Sequence, residues 1–464
     1  MQYIENRTFG EIRVGDSASL KRTLTKPDIE LFAVMSGDVN PTHLDEEFAK
    51  SDVFHKVVAH GMWGGALISA VLGTQLPGPG TVYLRQDLQF RRPVGLGETL
   101  TVTVTATAKD ESTHRIIFDC QCVNQDGVPV ISGTAEVSAP TEKIRYPQLD
   151  LPTIRFQRDF VHHKLLLDAA KGLEPIITAV VHPCDVESLL GAIEAARSKL
   201  IVPVLVGPEK KIRAVAAEAE IDISPYPLVP ALHSHDAAEK ATALVRAGKA
   251  EALMKGSLHT DEFMSEVLRK DNGLRTGRRM SHVFIMDVPS YPRLLFITDA
   301  AINIAPTLME KRDIVQNAID LAHALGVPLP KVAILSAVET VNADLRSTMD
   351  AAALCKMADR GQITGGILDG PLAFDNAVSQ AAARTKGIRS PVAGCADILV
   401  VPDLESGNML AKQLQYLAES QAAGVVLGAR VPIILTSRAD SVATRLTSAG
   451  VALLLARHQP VVAQ

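Results

Sequence analysis

At 464 residues the chain is longer than one ordinary domain, and this length predicts about two to four domains. Apolar residues make up 47% of the chain and charged residues 21%, which is typical of soluble globular proteins with enough material for hydrophobic cores. The formal net charge of −5 offers no positive surface for nucleic acid or for an anionic membrane, so we expect neither as a partner.

The cysteines and the start of the chain indicate the compartment. Cys120 and Cys122 are two positions apart in a strand-like stretch, which is not a zinc-ligand spacing, and no His/Cys set accompanies them. We therefore expect all five cysteines to be reduced thiols and expect no metal site. The first residues lack the apolar core of a signal peptide, and no run reaches membrane-spanning length. These features predict a cytoplasmic protein.

Residues 1–140 are predicted to form one α+β domain, and its most reactive segment is a short loop. Asp38, Asn40 and His43 place a carboxylate, an amide and an imidazole close together in sequence, and Pro41 stiffens the chain between them. An Asp and a His so placed can share a water or a proton, which is the minimum for general acid–base catalysis. An Asp-x-Asn-Pro segment is more often a simple turn, in which Asn40 only caps the turn.

A second feature of this domain is the apolar run that follows His60 and Gly61. The run from Met62 to Leu72 has almost no polar face, which predicts a buried helix. Gly61 would then open the helix, where free N–H groups can bind an oxyanion. Within the run, Ser69 either packs in its helix without a role or supports the carboxylate of Asp38.

The rest of this domain alternates as strands do. Thr25 is a predicted N-cap for a helix that leads to the Asp38 loop. Residues 99–106 alternate with a period of two, residues 116–123 follow, and a turn at 124–127 precedes a closing strand at 131–138. One long helix followed by antiparallel strands is therefore expected.

The sequence pattern changes after a proline-rich linker at 141–155. From residue 156 to 464, apolar β-branched runs alternate with alanine-rich helical stretches, which is typical of a parallel sheet buried on both faces. Ligands of such sheets bind beyond the carboxyl ends of the strands. Polar clusters follow several of these runs and include the candidate residues Lys255, Gly256, Asp369, Asp403, Asn408, Ser437, Arg438 and Asp440. Taken singly, each has a structural explanation that is about as good as a role in binding. Lys255 would be a surface lysine, Arg438 part of a salt bridge at a helix start, and Asp440 an N-cap.

The first domain resembles the MaoC-like, R-specific enoyl-CoA hydratases over roughly residues 8 to 138. The resemblance lies in the segments 36–45, 58–62, 76–84 and 90–94. It implies a hotdog fold, at least a dimer, and hydration of a trans-2-enoyl-CoA to a (3R)-3-hydroxyacyl-CoA. Asp38 and His43 would hold and activate the water, the Gly61 N–H would stabilise the thioester oxygen, and Asn40 and Ser69 would support the carboxylate.

The second domain resembles the phosphate acetyl-/butyryltransferases over nearly all of residues 156–464, and its motifs look closer to the butyryltransferase branch. The resemblance implies an α/β domain with two lobes of parallel sheet, and reversible acyl transfer between CoA and orthophosphate without a tightly bound cofactor. Ser437 would contact the thioester or thiol and Arg438 the phosphate, while Lys255, Gly256, Asp369, Asp403 and Asn408 would bind substrate. The basic residues Arg275 and Arg279 suit a phosphate or the CoA nucleotide, or form a solvated basic loop.

One position departs from the family pattern. In the acetyltransferase branch a catalytic Asp lies seven positions after the Ser of the Ser-Arg pair, and this chain has Thr444 there. Asp440 or another group then serves as base, or the domain has lost the activity. The leading hypothesis is a fused enzyme with two acyl-CoA activities. The alternative is a hydratase whose C-terminal domain is an inactive acyl-CoA-binding or oligomerisation module.

Overall fold

The computed structural model describes residues 3–149, 154, 160–437 and 440–458, and the chain divides into two compact units, 1–156 and 157–464. Part of the expected linker at 141–155 lies outside the described residues. No helix within the described ranges is both long and apolar enough to cross a membrane.

The first unit is a curved antiparallel sheet packed against one long helix. Its strands are Tyr3–Glu5 (β1), Ser17–Thr23 (β2), Val82–Phe90 (β3), Thr99–Asp110 (β4), Arg115–Val123 (β5), Pro129–Ser138 (β6) and Arg145–Pro147 (β7). Its helices are Lys26–Ser36 (α1), Pro41–Leu44 (α2), Glu46–Ser51 (α3) and Gly61–Thr74 (α4), with a 3-10 turn at Phe9–Glu11. The main sheet has the order β2-β4-β5-β6-β3, and all of its neighbours are antiparallel. This is the expected hotdog fold.

Local chemistry explains where these elements begin and end. Thr25 accepts a hydrogen bond from the N–H of Asp28, as predicted for an N-cap, and Gly37 ends α1 with φ at 74°. The expected turn at 124–127 joins β5 to β6, and Gly127 supplies the positive φ that the turn requires. The end of α1 and the start of α2 therefore bracket the Asp38 loop.

Helix α4 is buried on one face only, which corrects the expectation of a wholly buried helix. Trp63, Ile68 and Leu72 pack into the core of the sheet. Met62 and Ser69 lie on a largely apolar face that is exposed in the single chain. An exposed apolar helix face of this kind indicates that something outside the single chain packs against it.

The second unit is a large α/β domain. Its helices are Val161–Ala170 (α5), Val186–Arg197 (α6), Glu209–Glu218 (α7), Ser234–Arg246 (α8), Thr260–Val267 (α9), Leu308–Ala324 (α10), Arg346–Asp359 (α11), Phe374–Val378 (α12), Gln380–Thr385 (α13), Leu404–Leu417 (α14) and Val442–Arg457 (α15). Its strands are Ile176–Val181 (β8), Ile201–Gly207 (β9), Leu228–Pro230 (β10), Ala252–Lys255 (β11), Ser281–Asp287 (β12), Leu295–Thr298 (β13), Lys331–Leu335 (β14), Ile367–Leu372 (β15), Ile398–Val400 (β16), Gln421–Leu427 (β17) and Ile433–Ile434 (β18).

These strands form one mixed sheet with two parallel regions. The order is β10-β9-β8-β11-β18-β17-β12-β13-β16-β14-β15. The strands from β10 to β18 are parallel, and so are those from β13 to β15, as expected for two lobes. The two regions are joined by antiparallel pairs through β17 and β12, which the sequence pattern did not reveal. Strands buried on both faces are apolar throughout, whether they run parallel or antiparallel to their neighbours. Composition alone therefore does not reveal the direction of a strand.

Candidate active sites

In the first unit, Asp38, His43 and His60 come together at the start of α4. One ligand-type atom from each of the three side chains lies within 4.8 Å of the others. The His43 and His60 rings stack with centroids 4.0 Å apart. By residue type and spacing the group could hold a water molecule or a metal ion.

Hydrogen bonds to main-chain oxygens decide how the two imidazoles are protonated. His43 Nδ1 lies 2.8 Å from the Val58 oxygen, and His60 Nε2 lies 3.0 Å from the Asp38 oxygen. A carbonyl oxygen only accepts, so each of these nitrogens carries the proton in the neutral ring. His43 Nε2 is then an unprotonated lone pair, as a general base requires.

The loop before α2 fixes the carboxylate. The Asn40 N–H donates to Asp38 Oδ1 over 3.2 Å, while the Asn40 side chain accepts from the Thr42 N–H and caps α2. Asn40 thus supports the carboxylate through its main chain and caps the turn with its side chain. Ser69 lies eight residues after Gly61, which is about 12 Å along the helix axis, and no hydrogen bond within the described residues joins it to Asp38.

Gly61 opens α4, as expected, and its N–H has no partner within the helix. A Cβ at this position would lie 3.2 Å from Phe90 Cε1, so a glycine lets the ring approach the helix start. Gly61, His43, His60 and Phe90 line a cavity of about 330 Å³, and His43 also borders a second cavity of about 330 Å³ beside Lys50. Asp38 is exposed and lines neither cavity.

In the second unit, a cavity of about 460 Å³ opens where β11 and β18 end. Four of the candidate residues line it: Lys255, Asn408, Ser437 and Asp440. Lys255 lies 182 positions before Ser437 and 185 before Asp440, and the three meet because β11 and β18 are parallel neighbours. The carboxyl ends of the two strands therefore meet at one edge, which is where open α/β sheets bind their ligands. Helix α14 brings Asn408 to the same cavity.

Lys255 lines this cavity, and its neighbour Gly256 lies just outside the lining. Lys255 is buried, and its Nζ lies 3.4 Å from the main-chain oxygens of Gly256 and Thr436. A Cβ on Gly256 would lie 2.5 Å from the Val181 and His182 oxygens, so only glycine allows the chain to pass there. The ammonium group is consequently held close to the Thr436–Ser437 turn.

The cavity lining also includes a carboxylate and a histidine. Asp440 is 7% exposed, and its Oδ2 accepts the Ser437 N–H over 2.6 Å. His282 on β12 also lines the cavity, and burial lowers the pKa of its imidazole to about 4, so the ring is neutral near pH ~7. Thr444 is near Ser441, with 3.2 Å between the hydroxyl oxygens, and does not line the cavity.

Other candidates lie elsewhere. Arg279 contacts Asn303 and Glu310, Arg275 is exposed, and Asp369 accepts the Gly370 N–H. Asp403 caps α14, the helix that carries Asn408 and Lys412 to the cavity. Arg438 lies outside the described residues. Sequence reasoning missed one buried residue of this region, Arg445, because its contacts come from the turn after β18.

Comparisons with known proteins agree with this division. The MaoC-like domain family matches residues 13–120, and the phosphate acetyl/butyryltransferase family matches residues 229–453. The phosphate acetyltransferase of Rhizobium meliloti is 66% identical over 294 residues, which cover 63% of this chain and 93% of that protein. The phosphate butyryltransferase of Clostridium acetobutylicum is 43% identical over 62% of this chain and 96% of that protein.

A solved structure extends the likeness to the fold. The branched-chain phosphotransacylase from Enterococcus faecalis V583 matches with a TM-score of 0.54 and 30% identity, over 61% of this chain and all of that one. The higher identity to an acetyltransferase than to a butyryltransferase argues against the expectation that the chain is closer to the butyryltransferase branch.

Proposed function

The chain belongs to the phosphate acetyl/butyryltransferase family, and from that membership we propose that its second unit transfers a short acyl group between CoA and orthophosphate, with acetyl as the preferred group. The observation that carries the proposal is the cavity at the ends of β11 and β18, which gathers Lys255, Ser437 and Asp440. A phosphate oxygen attacks the thioester carbonyl carbon, and the bond to the CoA sulfur breaks. An acyl phosphate and the CoA thiolate result.

The groups around the cavity suit this reaction. The Lys255 ammonium supplies positive charge for the phosphate. The Ser437 hydroxyl hydrogen-bonds the thioester or the leaving sulfur. From the family resemblance alone, we assign to Arg438 the binding of two phosphate oxygens at once, as a guanidinium does. In the reverse direction Asp440 accepts the proton of the CoA thiol, and so takes the part that an Asp at position 444 would play.

For the first unit we propose hydration of a trans-2-enoyl-CoA to a (3R)-3-hydroxyacyl-CoA. Asp38 and His43 hold one water. His43 Nε2 takes its proton as the oxygen adds to Cβ, and the proton is then delivered to Cα. The Gly61 N–H stabilises the negative charge that develops on the thioester oxygen. The tautomer fixed by Val58 supports this role for His43, since it leaves Nε2 unprotonated.

We also propose that the chain forms at least a dimer through the first unit. Strand β3 is an edge of its sheet, and Val82, Leu84 and Phe90 on it are 57%, 44% and 52% exposed. The exposed apolar face of α4 adds to this surface. Edge strands with apolar side chains pair readily with another copy. A second chain would also close the open side near Asp38.

One experiment on the full-length protein tests both activities. Thiol release from acetyl-CoA and from butyryl-CoA is followed with and without orthophosphate, and hydration of crotonyl-CoA is followed by the loss of its enoyl absorbance. Phosphate-dependent thiol release, faster with acetyl-CoA, supports the transferase. Hydration without any phosphate-dependent release would leave a hydratase with a C-terminal binding module.

A further inference from the structure

Helix α15 carries a buried arginine directly after Thr444. Arg445 is 1% exposed and heads the largest fully buried side chains of the described residues. Its stem passes α6 at Gly191, where a Cβ would lie 2.5 Å from Arg445 Cδ. Any larger residue at 191 would displace the arginine. The packing of α6 against α15 therefore accommodates this one long, charged side chain.

The guanidinium of Arg445 holds the turn that follows β18. One terminal nitrogen donates to Thr436 Oγ1 over 2.8 Å, and the other donates to the Ser437 main-chain oxygen over 2.9 Å. Both Thr436 and Ser437 line the transferase cavity. Ser437 is held from a second side by Asp440, which accepts its N–H. The position of the Ser437 side chain thus depends on Arg445 and Asp440 together.

The charge on Arg445 is not neutralised at contact distance. Among the described residues, no carboxylate oxygen lies within 4.0 Å of its guanidinium, and Nε has no hydrogen-bond partner. Asp185, Asp440 and Glu187 act on it only at longer range, and burial lowers the pKa of its guanidinium. An arginine nevertheless stays protonated in a protein. A buried cation without a contacting anion is costly, and an anion that enters the adjacent cavity would offset that cost.

We propose that Arg445 is a positioning residue for the phosphate substrate of the transferase: it fixes the Thr436–Ser437 turn and adds a permanent positive charge behind it. The inference rests on the proposed transferase function. Arg445 does not touch the reacting atoms. It favours the dianionic substrate over the thioester, because the field of its charge acts on phosphate and not on a neutral acyl group.

Kinetics of the full-length protein test this role. In Arg445→Met we expect the KM for phosphate to rise about tenfold or more, the equivalent of losing a hydrogen bond to a charged group. The KM for acetyl-CoA should rise by a clearly smaller factor, because that substrate senses the change only through the position of Ser437. Arg445→Lys keeps the charge and one donor, so its KM for phosphate should lie between those of wild type and Arg445→Met. Arg457→Met is the matched control, because it removes another arginine of α15 that pairs with Glu251 at the far end of the helix.

A rescue experiment separates charge from packing. Guanidinium ion added to Arg445→Ala should lower the KM for phosphate towards the wild-type value, and urea, which is planar but neutral, should not. Rescue by both compounds, or equal changes in the two KM values, would show a merely structural role and overturn the proposal. If Arg445→Met fails to fold, Arg445→Lys takes its place. The rise in melting temperature that inorganic phosphate causes should then be smaller in Arg445→Lys than in Arg457→Met. A wild-type protein without phosphate-dependent thiol release would instead refute the proposed function itself.

Discussion

His43 Nδ1 lies 2.8 Å from the main-chain oxygen of Val58, and this contact leaves the other ring nitrogen of His43 as a lone pair at the wall of two cavities. The main chain, rather than a carboxylate, therefore selects the tautomer. Any acid–base role of His43 depends on the segment that leads into α4, since Val58 lies just before His60 and Gly61.

The first prediction follows from this contact. His43→Asn keeps an N–H that can reach the Val58 oxygen but removes the base, so hydration of crotonyl-CoA should fall by about 10²–10⁴-fold. Phosphate-dependent thiol release should be unchanged, because it occurs in the other unit. His114→Asn is the control: His114 has a φ of 54°, which Asn tolerates, and it lies outside both cavity linings. Hydration that survives in His43→Asn would exclude His43 as the base.

The second prediction concerns the start of α4. In Gly61→Ala the new methyl group would lie 3.2 Å from Phe90 Cε1, so the ring or the helix start must shift. We expect hydration to fall by about tenfold through misplacement of the Gly61 N–H. The double variant Gly61→Ala/Phe90→Leu should recover part of the loss.

A second glycine of the same helix provides the control for this prediction. A Cβ on Gly73 meets nothing within 4 Å, and Ala favours a helix over Gly by about 1 kcal/mol. Gly73→Ala should therefore be active and slightly more stable in urea. Equal loss of hydration in both variants would indicate a general effect on α4.

The third prediction addresses the missing Asp at position 444. If Asp440 is the base of the transferase, Asp440→Asn should lower acyl transfer from acetyl phosphate to CoA by about 10²-fold or more. Thr444→Val should leave it within about twofold, because Thr444 does not line the cavity. The rates are measured with both substrates saturating. A large loss of acyl transfer in Thr444→Val, together with an active Asp440→Asn, would show that the reaction depends on Thr444 and not on Asp440.

How much of these sites the sequence predicted depends on how local their contacts are. Thr25 and Asn40 interact mainly with neighbours a few positions away, and Asp38 and His43 lie close together in one short loop, so their patterns were readable. Arg279 looked like a phosphate ligand, but it lies 3.0 Å from Glu310, a partner that tertiary structure supplies. Arg445 had no sequence signal, since its partners come from the turn after β18 and its space from a glycine on α6. The mixed centre of the large sheet was equally hidden.

The fourth prediction uses the buried His282. The pKa of its imidazole is lowered by burial to about 4, whereas an unfolded chain has a value of about 6.5. The unfolded state therefore binds more protons between these two values. The stability that neutral His282 provides is complete above about pH 6.5 and is lost as the pH falls towards about 4.

Urea unfolding at about pH 7 and about pH 5 measures this dependence. His282→Gln should be less stable than wild type at the higher pH, since the amide replaces a packed ring. The difference should shrink at the lower pH, because the variant lacks the group that titrates. The change is of order 1 kcal/mol or more. His163 is also buried with a lowered pKa and is present in both proteins, so it cancels in the comparison. A difference that does not vary with pH would contradict the assignment.

The last prediction tests the edge of the hotdog sheet. Leu84 on β3 is 44% exposed, and a lysine there should disfavour pairing of β3 with a second chain. We expect Leu84→Lys to have a lower molar mass by analytical ultracentrifugation than wild type, and the difference should be one or more chains of 49.7 kDa. Hydration should fall more than acyl transfer. Ile117→Lys is the control, because Ile117 is 41% exposed but lies on the interior strand β5. An unchanged mass with full hydration would place the contact between chains elsewhere. A lower mass with full hydration would show that the Asp38 site is complete within one chain.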